Sequence, residues 1–316
     1  MKVVIPGGSG QVGTILARAL GNAGHEVVIL GRQPGNSSWR TVRWDASTLG
    51  DWAAELEHAD VVINLAGRSV NCRYTAENRR LILESRVKST RIIGEAIAQA
   101  SHPPRAWLQA STATIYAHRY DAPNDEATGS IGGSESKAPA TWRFSIEVAL
   151  AWEQALNDSV TPRTRKVLMR SAMIMSPDRG GVFDTLLSLV RFGLGGRVGD
   201  GRQYVSWIHD QDFVRAVSWL IEHEELTGVV NLASPNPLPY AAFIRTLRGA
   251  WGIPIGLPAT KWMVEIGTFL LRTESELVLK SRRVIPGRLL QSGFTFQHPT
   301  WEEAAQDLCQ RRRTTS

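Results

Sequence analysis

The seven residues Gly7-Gly8-Ser9-Gly10-Gln11-Val12-Gly13 hold the spacing Gly-x-Gly-x-x-Gly from Gly8 to Gly13. The chemistry that this spacing serves is the capture of a pyrophosphate. The first glycines allow a tight turn with positive φ, a conformation that residues with a side chain rarely adopt. Gly10 lets the backbone approach the phosphates, and Gly13 lets a helix lie close to the preceding strand. The free N–H groups and the positive dipole end of that helix then face the anion. A lone motif of this kind is weak. Its setting strengthens it: the apolar run Val3-Val4-Ile5 precedes it, and Val12, Ile15, Leu16, Ala19 and Leu20 follow at the spacing of one helix face. The expected ligand is a dinucleotide on a strand–turn–helix unit.

The next apolar run, Val27 to Leu30, ends on Gly31-Arg32. An NAD site usually places Asp or Glu there, on the ribose hydroxyls. An arginine offers its planar fork to a 2′-phosphate instead, so the expected cofactor is NADP(H), with Arg40 and Arg43 as helpers. Asp45 reads equally as an acceptor for the adenine amine or as a turn residue. Thr112, at the end of a strand-like run and next to Ser111, reads as a substrate-orienting hydroxyl or as a strand-end cap. Arg202, Gln203 and Trp207, beside the glycine-rich stretch 193–201, could hold a polar or anionic substrate. His209 is the best titratable group in the chain for acid–base work near neutral pH, although a lone histidine is more often structural. The remaining histidines, at positions 25, 58, 102, 118, 223 and 298, show no metal-ligand spacing, so no metal site is expected.

These groups need elements to place them. Strand-like runs at Val3–Ile5, Val27–Leu30, Val42–Trp44, Val61–Ile63, Ala106–Ala110 and Lys166–Met169 alternate with helical patterns at 12–20, about 76–100 and about 144–156. That alternation predicts βαβ units, a parallel sheet and right-handed crossovers with helices on both faces. Residues 121–141 read as a loop. Further on, Phe213, Ala216, Val217, Leu220 and Ile221 form a helix face with Asp210 or Asp212 as its N-cap. Val229–Leu232 reads as a strand, Pro235–Pro239 as a hinge, and Trp301–Cys309 as a final helix.

The chain of 316 residues suffices for a large core, and its 43% hydrophobic and 21% charged content is that of a soluble globular protein. No apolar stretch is long enough to span a bilayer, and the N-terminus lacks the pattern of a signal peptide. Two distant cysteines, Cys72 and Cys309, exclude a disulfide framework, and the chain reads as cytoplasmic. The net charge of +6 is dispersed apart from Arg311-Arg312-Arg313, which fits an anionic small molecule better than nucleic acid or a membrane.

With these residues in view, the chain resembles the atypical extended short-chain dehydrogenase/reductases, the group called epimerase family proteins. The resemblance covers almost the whole chain. It rests on the Gly7–Gly13 turn, Asn64-Leu65-Ala66-Gly67, Glu84-Ser85-Arg86, Phe192-Gly193-Leu194-Gly195-Gly196 and Gly201-Arg202-Gln203. It extends to Ser206-Trp207-Ile208-His209-x-x-Asp212 and Arg283-Val284-Ile285-Pro286. It implies a Rossmann-type doubly wound α/β domain over 1–175 plus about 204–234. A smaller, discontinuous C-terminal α/β domain would take about 176–203 plus 235–316. The implied cofactor contacts are Gly7, Gly8, Ser9, Gly10, Gln11, Val12, Gly13, Gly31 and Arg32. Leu65, Ala66, Gly67 and Arg86 would flank the cofactor, with Ser111 beside the nicotinamide and Met173 and Ile174 after the sixth strand. A homodimer is compatible with the group.

The wider superfamily works through Ser/Thr, Tyr and Lys, the last two as Tyr-x-x-x-Lys on one helix face. None of the five tyrosines here has lysine four residues on. On the helix leading to Trp152-Glu153-Gln154 the two positions hold Phe144 and Val148, or Ser145 and Ala149. Tyr116 reads as an aromatic anchor or as a displaced acid. Two functions follow: an NADP-dependent oxidoreductase or epimerase on a small polar substrate with non-standard proton chemistry, or a non-catalytic NADP(H)-binding sensor or scaffold.

Overall fold

The computed structural model of the protein describes residues 1–33, 38–135, 140–259 and 280–314. Strand alternation builds its centre. In β1 (Lys2–Pro6), β2 (Glu26–Gly31) and β4 (Val61–Asn64), residues Val3, Ile5, Val27, Ile29, Val61 and Ile63 pack on one face of the sheet. Val4, Val28, Leu30 and Val62 pack on the other. Strands buried on both faces belong to a parallel sheet covered by helices. With β3 (Arg40–Arg43), β5 (Ala106–Thr112), β6 (Arg165–Ser171) and β10 (Gly228–Leu232), the seven strands run in the order β10-β6-β5-β4-β1-β2-β3, every pair parallel.

Helix α1 (Gln11–Asn22) and α5 (Asp210–Glu222) cover the first face, with Leu16, Leu20, Phe213, Val217 and Leu220 in its core. Helix α2 (Ala76–Gln99) and the 3₁₀ turn Asp51–Leu56 supply Ile93, Ile97, Trp52 and Leu56 to the second. Helix α3 (Ala140–Asn157) packs beside α2. This is the doubly wound α/β architecture, and its strands come from residues 2–171 and 228–232.

A second core joins α4 (Val182–Arg191), β9 (Trp207–His209), α6 (Tyr240–Trp251) and the C-terminal helix α8 (Trp301–Thr314). Its centre is aromatic: Trp301 stacks on Phe243 at 4.0 Å and meets Trp207 edge-on at 5.0 Å. Strand β9 pairs with β7 (Met173–Met175), and β8 (Tyr204–Val205) pairs antiparallel with β11 (Leu238–Pro239). The expected Pro235–Pro239 hinge therefore ends in a strand pair. The short helix α7 (Gly287–Gln291) returns to the large sheet, placing Leu289 and Phe294 in the first core.

Two local expectations change. Helix α3 begins at Ala140 rather than Phe144, and part of the 121–141 loop (136–139) lies outside the described residues. Helix α5 is capped by neither Asp210 nor Asp212, which sit in its first turn, but by His209, whose Nδ1 accepts from the Gln211 N–H at 3.2 Å.

Candidate functional site

The glycine turn is shaped by contacts that a side chain would destroy. Gly7 has φ +75°, and a Cβ there would stand 2.7 Å from the Ala66 backbone. A Cβ on Gly13 would stand 2.4 Å from the Gly8 backbone, so this glycine lets α1 sit directly on the turn. Gly10 is the N-cap of α1; no side chain caps the helix, and no acid lies in its first turn. The exposed amides of the first turn and the helix dipole are thus uncompensated, which is the physical state of an anion site. Gln11 Nε2 is buried without a hydrogen-bond acceptor among the described residues, its side chain lying against Gly181. These features fit a dinucleotide pyrophosphate.

Around this turn the parallel strands end side by side. Leu65 N–H donates to the Pro6 carbonyl at 2.8 Å, and Ala66 N–H to Asn64 Oδ1 at 3.0 Å, which brings residues 65–67 against the turn. Gly31 closes β2 with Ser9 Oγ near it, and Arg32 stands exposed immediately beyond. Arg43, at the end of β3, is also exposed, whereas Arg40 is held by Glu55 at 2.5 Å. Asp45 is built into a turn: its carboxylate accepts from the Ser47 and Thr48 N–H groups and from the Thr48 hydroxyl. Those bonds, led by the Thr48 hydroxyl, hold its pKa at about 2. Met173 and Ile174, half-buried in β7, sit beside β9.

Next to the strand ends lies a cleft of about 130 Å³. Thr112 from β5 and Ser145, Val148, Ala149 and Trp152 from α3 border it. So both registers of the missing Tyr/Lys pair face this region, and neither brings a phenol or an amine. Thr112 Oγ1 accepts from the Thr114 N–H at 3.1 Å, which makes it the strand-end cap and leaves its proton available to the cleft it lines. Arg86 reaches the cleft from α2. Its guanidinium lies against Gly67 and 5.0 Å above the Trp152 ring, and its Nη1 donates to the carbonyls of Arg68 and Ile82. Burial lowers its pKa to about 10, with the neighbouring Tyr74 phenol pulling the other way.

Sequence reasoning missed three participants. Tyr74 and Arg282 line the cleft, from the loop before α2 and from the C-terminal segment. The sequence signal for Arg282 was its place just before Arg283-Val284-Ile285-Pro286; Tyr74 had none, because it is not followed by lysine. The third is Glu153 on α3. Its carboxylate accepts from the Ser111 hydroxyl at 2.5 Å and from Arg170 Nε and Nη2 at 2.8 and 2.7 Å. Ser111 is therefore tied into a buried ion pair rather than offered to the cleft. Tyr116 is an anchor: it is buried, its hydroxyl donates to Asn231 Oδ1 at 2.9 Å, and Arg170 lies over its ring.

The second expected group, Arg202, Gln203, Trp207 and His209, does not border the cleft. Trp207 is fully buried against Trp301 in the smaller core, which makes it a packing residue rather than a substrate contact. Gln203 is buried and donates to the Val198 carbonyl; Arg202 is exposed on its loop. His209 is fully buried, with Nε2 2.9 Å from Asp307, and Asp307 also binds Arg311. Burial lowers the His209 pKa, against the pull of Asp210. His209, His298 and Asp307 lie close enough together to hold a metal ion, a juxtaposition made by the fold and invisible in the spacing. The Arg311 cation on Asp307 opposes that use.

The motif around these residues has a mechanical role. The Ser206 hydroxyl donates to the Arg282 carbonyl and accepts from the Val284 N–H, and Asp212 accepts from the N–H groups of Gln297 and His298. Ser206 and Asp212 thus clamp the C-terminal segment that delivers Arg282.

A doubly wound sheet with an uncapped glycine turn at the carboxyl ends of its strands defines a nucleotide-binding α/β protein of the Rossmann type. More particularly, the chain belongs to the NAD dependent epimerase/dehydratase family, whose profile covers residues 3–233. A domain of unknown function, DUF1731, covers residues 259–308. The epimerase family protein SDR39U1 of Bos taurus is 30% identical over 315 residues, spanning 98% of this chain and 99% of the relative. The crystal structure of human epimerase family protein SDR39U1 (isoform 2) with NADPH superposes with a TM-score of 0.85 at 28% identity, over 98% and 99% of the two chains. A nucleoside-diphosphate sugar epimerase from Corynebacterium glutamicum gives 0.76 at 26%, over 98% of this chain and 58% of that one. The resemblance read from the motifs is borne out. Among the described residues, no helix is long and apolar enough to cross a membrane.

Proposed function

We propose that the protein binds NADP(H) on the Gly7–Gly13 turn and acts as an oxidoreductase or epimerase-like enzyme on a small polar molecule in the adjoining cleft. The observation that carries the cofactor is the uncapped N-terminus of α1, with exposed Arg32 just after β2 where an NAD site carries an acid. The NADPH held by the human relative supports the same choice.

When bound, the nicotinamide supplies or accepts a hydride at the substrate carbon. The chain supplies the rest. Leu65, Ala66 and Gly67 flank the dinucleotide, and Arg32 pairs with the 2′-phosphate. The Thr112 hydroxyl, its oxygen already accepting from Thr114, donates toward a substrate oxygen. Tyr74 is the phenol that lines the cleft, beside the Arg86 cation, and so takes the proton-donor role that α3 leaves open.

The second reading, an NADP(H)-binding sensor without turnover, is favoured by Phe144 and Val148, buried and inert on α3. Fluorescence titration with NADPH and NADH tests both readings at once, since binding of neither overturns both. A panel of carbonyl compounds and nucleotide sugars, followed at the NADPH absorbance, then separates them. Turnover that is lost in Tyr74→Phe establishes the enzyme; NADPH bound tightly with no turnover across the panel establishes the sensor.

A further inference from the structure

At the amino ends of β4 and β5, the opposite end of the strands from the glycine turn, three side chains with metal-ligand atoms meet. Glu57 and His58 follow the 3₁₀ turn Asp51–Leu56, and His102 follows α2. One ligand atom from each lies within 4.8 Å of the other two. Glu57 Oε1 stands 2.8 Å from His102 Nδ1 and 3.9 Å from His58 Nε2. The positions 57, 58 and 102 show no metal pattern in the chain; two connections of the fold bring them together. The cluster is held from behind. The Glu57 carboxylate accepts from the N–H groups of Ser101 at 3.0 Å and His102 at 2.8 Å. Hydrogen bonds of this kind orient a ligating carboxylate. His58 takes φ +57°, and its N–H donates to the His102 carbonyl at 3.0 Å, which seats the two histidines side by side. Their rings stack at 4.3 Å. Among the described residues, no lysine or arginine pairs with the Glu57 carboxylate. Lys2 bonds the Glu55 carboxylate and the Glu57 backbone carbonyl, and Arg163 donates to the carbonyls of Ala100 and Ser101. This sets the cluster apart from His209, His298 and Asp307, where Arg311 takes the carboxylate.

We propose that Glu57, His58 and His102 form a binding site for a divalent transition-metal ion of the Zn²⁺ class. Two imidazoles and a carboxylate are a donor set that suits such an ion, whereas Mg²⁺ and Ca²⁺ take oxygen ligands. The ion sits between Glu57 and His102, where the hydrogen bond now holds a proton, and His102 carries its proton on the outward Nε2 instead. The stacked rings turn about their side-chain bonds to aim both nitrogens at one ion. At 69% and 67% exposure the two side chains have the room to do so. Three protein ligands leave a fourth tetrahedral position to water. The ion ties the connection before β4 to the connection before β5, far from the cofactor turn. It therefore acts as a clip that stabilises the folded chain by mass action.

The test uses the untagged full-length protein, freed of metal with a chelator. Calorimetric titration with ZnCl₂ is expected to show saturable binding that MgCl₂ does not reproduce, and Zn²⁺ is expected to raise the melting temperature. His58→Ala, His102→Ala and Glu57→Gln should each weaken Zn²⁺ by about tenfold or more. Glu57→Gln keeps an oxygen for the two backbone N–H groups and removes only the charge, and both histidines are exposed. The variants therefore report on binding rather than folding, and melting temperatures without metal check this. His298→Ala is the control and should leave Zn²⁺ affinity unchanged. No saturable Zn²⁺ binding, Mg²⁺ bound as tightly as Zn²⁺, or Zn²⁺ affinity unchanged in either histidine variant overturns the proposal. A loss in His298→Ala in place of the loss in His58→Ala and His102→Ala also overturns it, and assigns the ion to the buried cluster.

Discussion

The Ser111 hydroxyl donates to the Glu153 carboxylate at 2.5 Å, joining the end of β5 to α3, a helix that carries neither tyrosine nor lysine. The same carboxylate takes both Nε and Nη2 of Arg170 on β6. Burial opposes the Arg170 charge, but the Glu153 partner outweighs it and raises the arginine pKa. The end of β5 is therefore tied to α3 and β6 by a buried ion pair.

Removing one partner of that pair strands the other. Glu153→Ala should cost about 3–5 kcal/mol of unfolding free energy, because Arg170 is left buried and uncompensated. Urea denaturation of the two proteins checks this, and a loss within about 1 kcal/mol would mean that water replaces the carboxylate.

Arg32→Ala should weaken NADPH by about tenfold or more, the worth of a charge-assisted bond of about 1.5–3 kcal/mol, and leave NADH nearly unchanged. Parallel fluorescence titrations read the difference directly. Equal losses for the two nucleotides would show that Arg32 does not contact the 2′-phosphate.

Gly13→Ala puts a methyl group 2.4 Å from the Gly8 backbone. Either the turn opens or α1 lifts from it, at a cost of about 1–3 kcal/mol in stability. Both nucleotides should lose affinity together, unlike the Arg32 variant. Affinity and melting temperature measured on one preparation separate the two effects.

Burial holds the His209 pKa below its ordinary value in the fold, so the unfolded chain takes up a proton at this residue more readily than the folded one. Stability should fall as pH drops through the unfolded value of about 6.5 toward the lower folded value, and level off below it. His209→Asn should flatten this part of the profile. Unfolding free energies at several pH values between about 5 and 8 provide the measurement; an unchanged slope would assign the pH dependence to other groups.

Trp207→Ala should cost about 3–5 kcal/mol, the range for a large buried aromatic. NADPH affinity should stay unchanged in the protein that remains folded. A large loss of ligand affinity with little loss of stability would return Trp207 to the site.

The sequence alone determined the parts of this protein that rest on local periodicity and local backbone chemistry. Alternation at Val3–Ile5 and Val27–Leu30 gave strands buried on both faces, and the 3.6-residue spacing after Gly10 gave α1. The glycine turn was legible because Gly7 and Gly13 answer to contacts within a short stretch of chain and with the next strand end. The lack of any Tyr-x-x-x-Lys sequence was legible because that spacing is local. Only the tertiary structure decided where the charges go. Glu153 and Arg170 are 17 residues apart on different elements, and nothing in their spacing pairs them. Trp207 and His209 looked like site residues because aromatic and titratable groups near glycine suggest binding; their burial against Trp301 and Asp307 depends on a helix about 100 residues away. Arg282 enters the cleft only because Ser206 and Asp212 clamp a distant segment in place. Side-chain type states what chemistry a residue can do; packing between elements far apart in the chain decides whether it meets a ligand or another side chain.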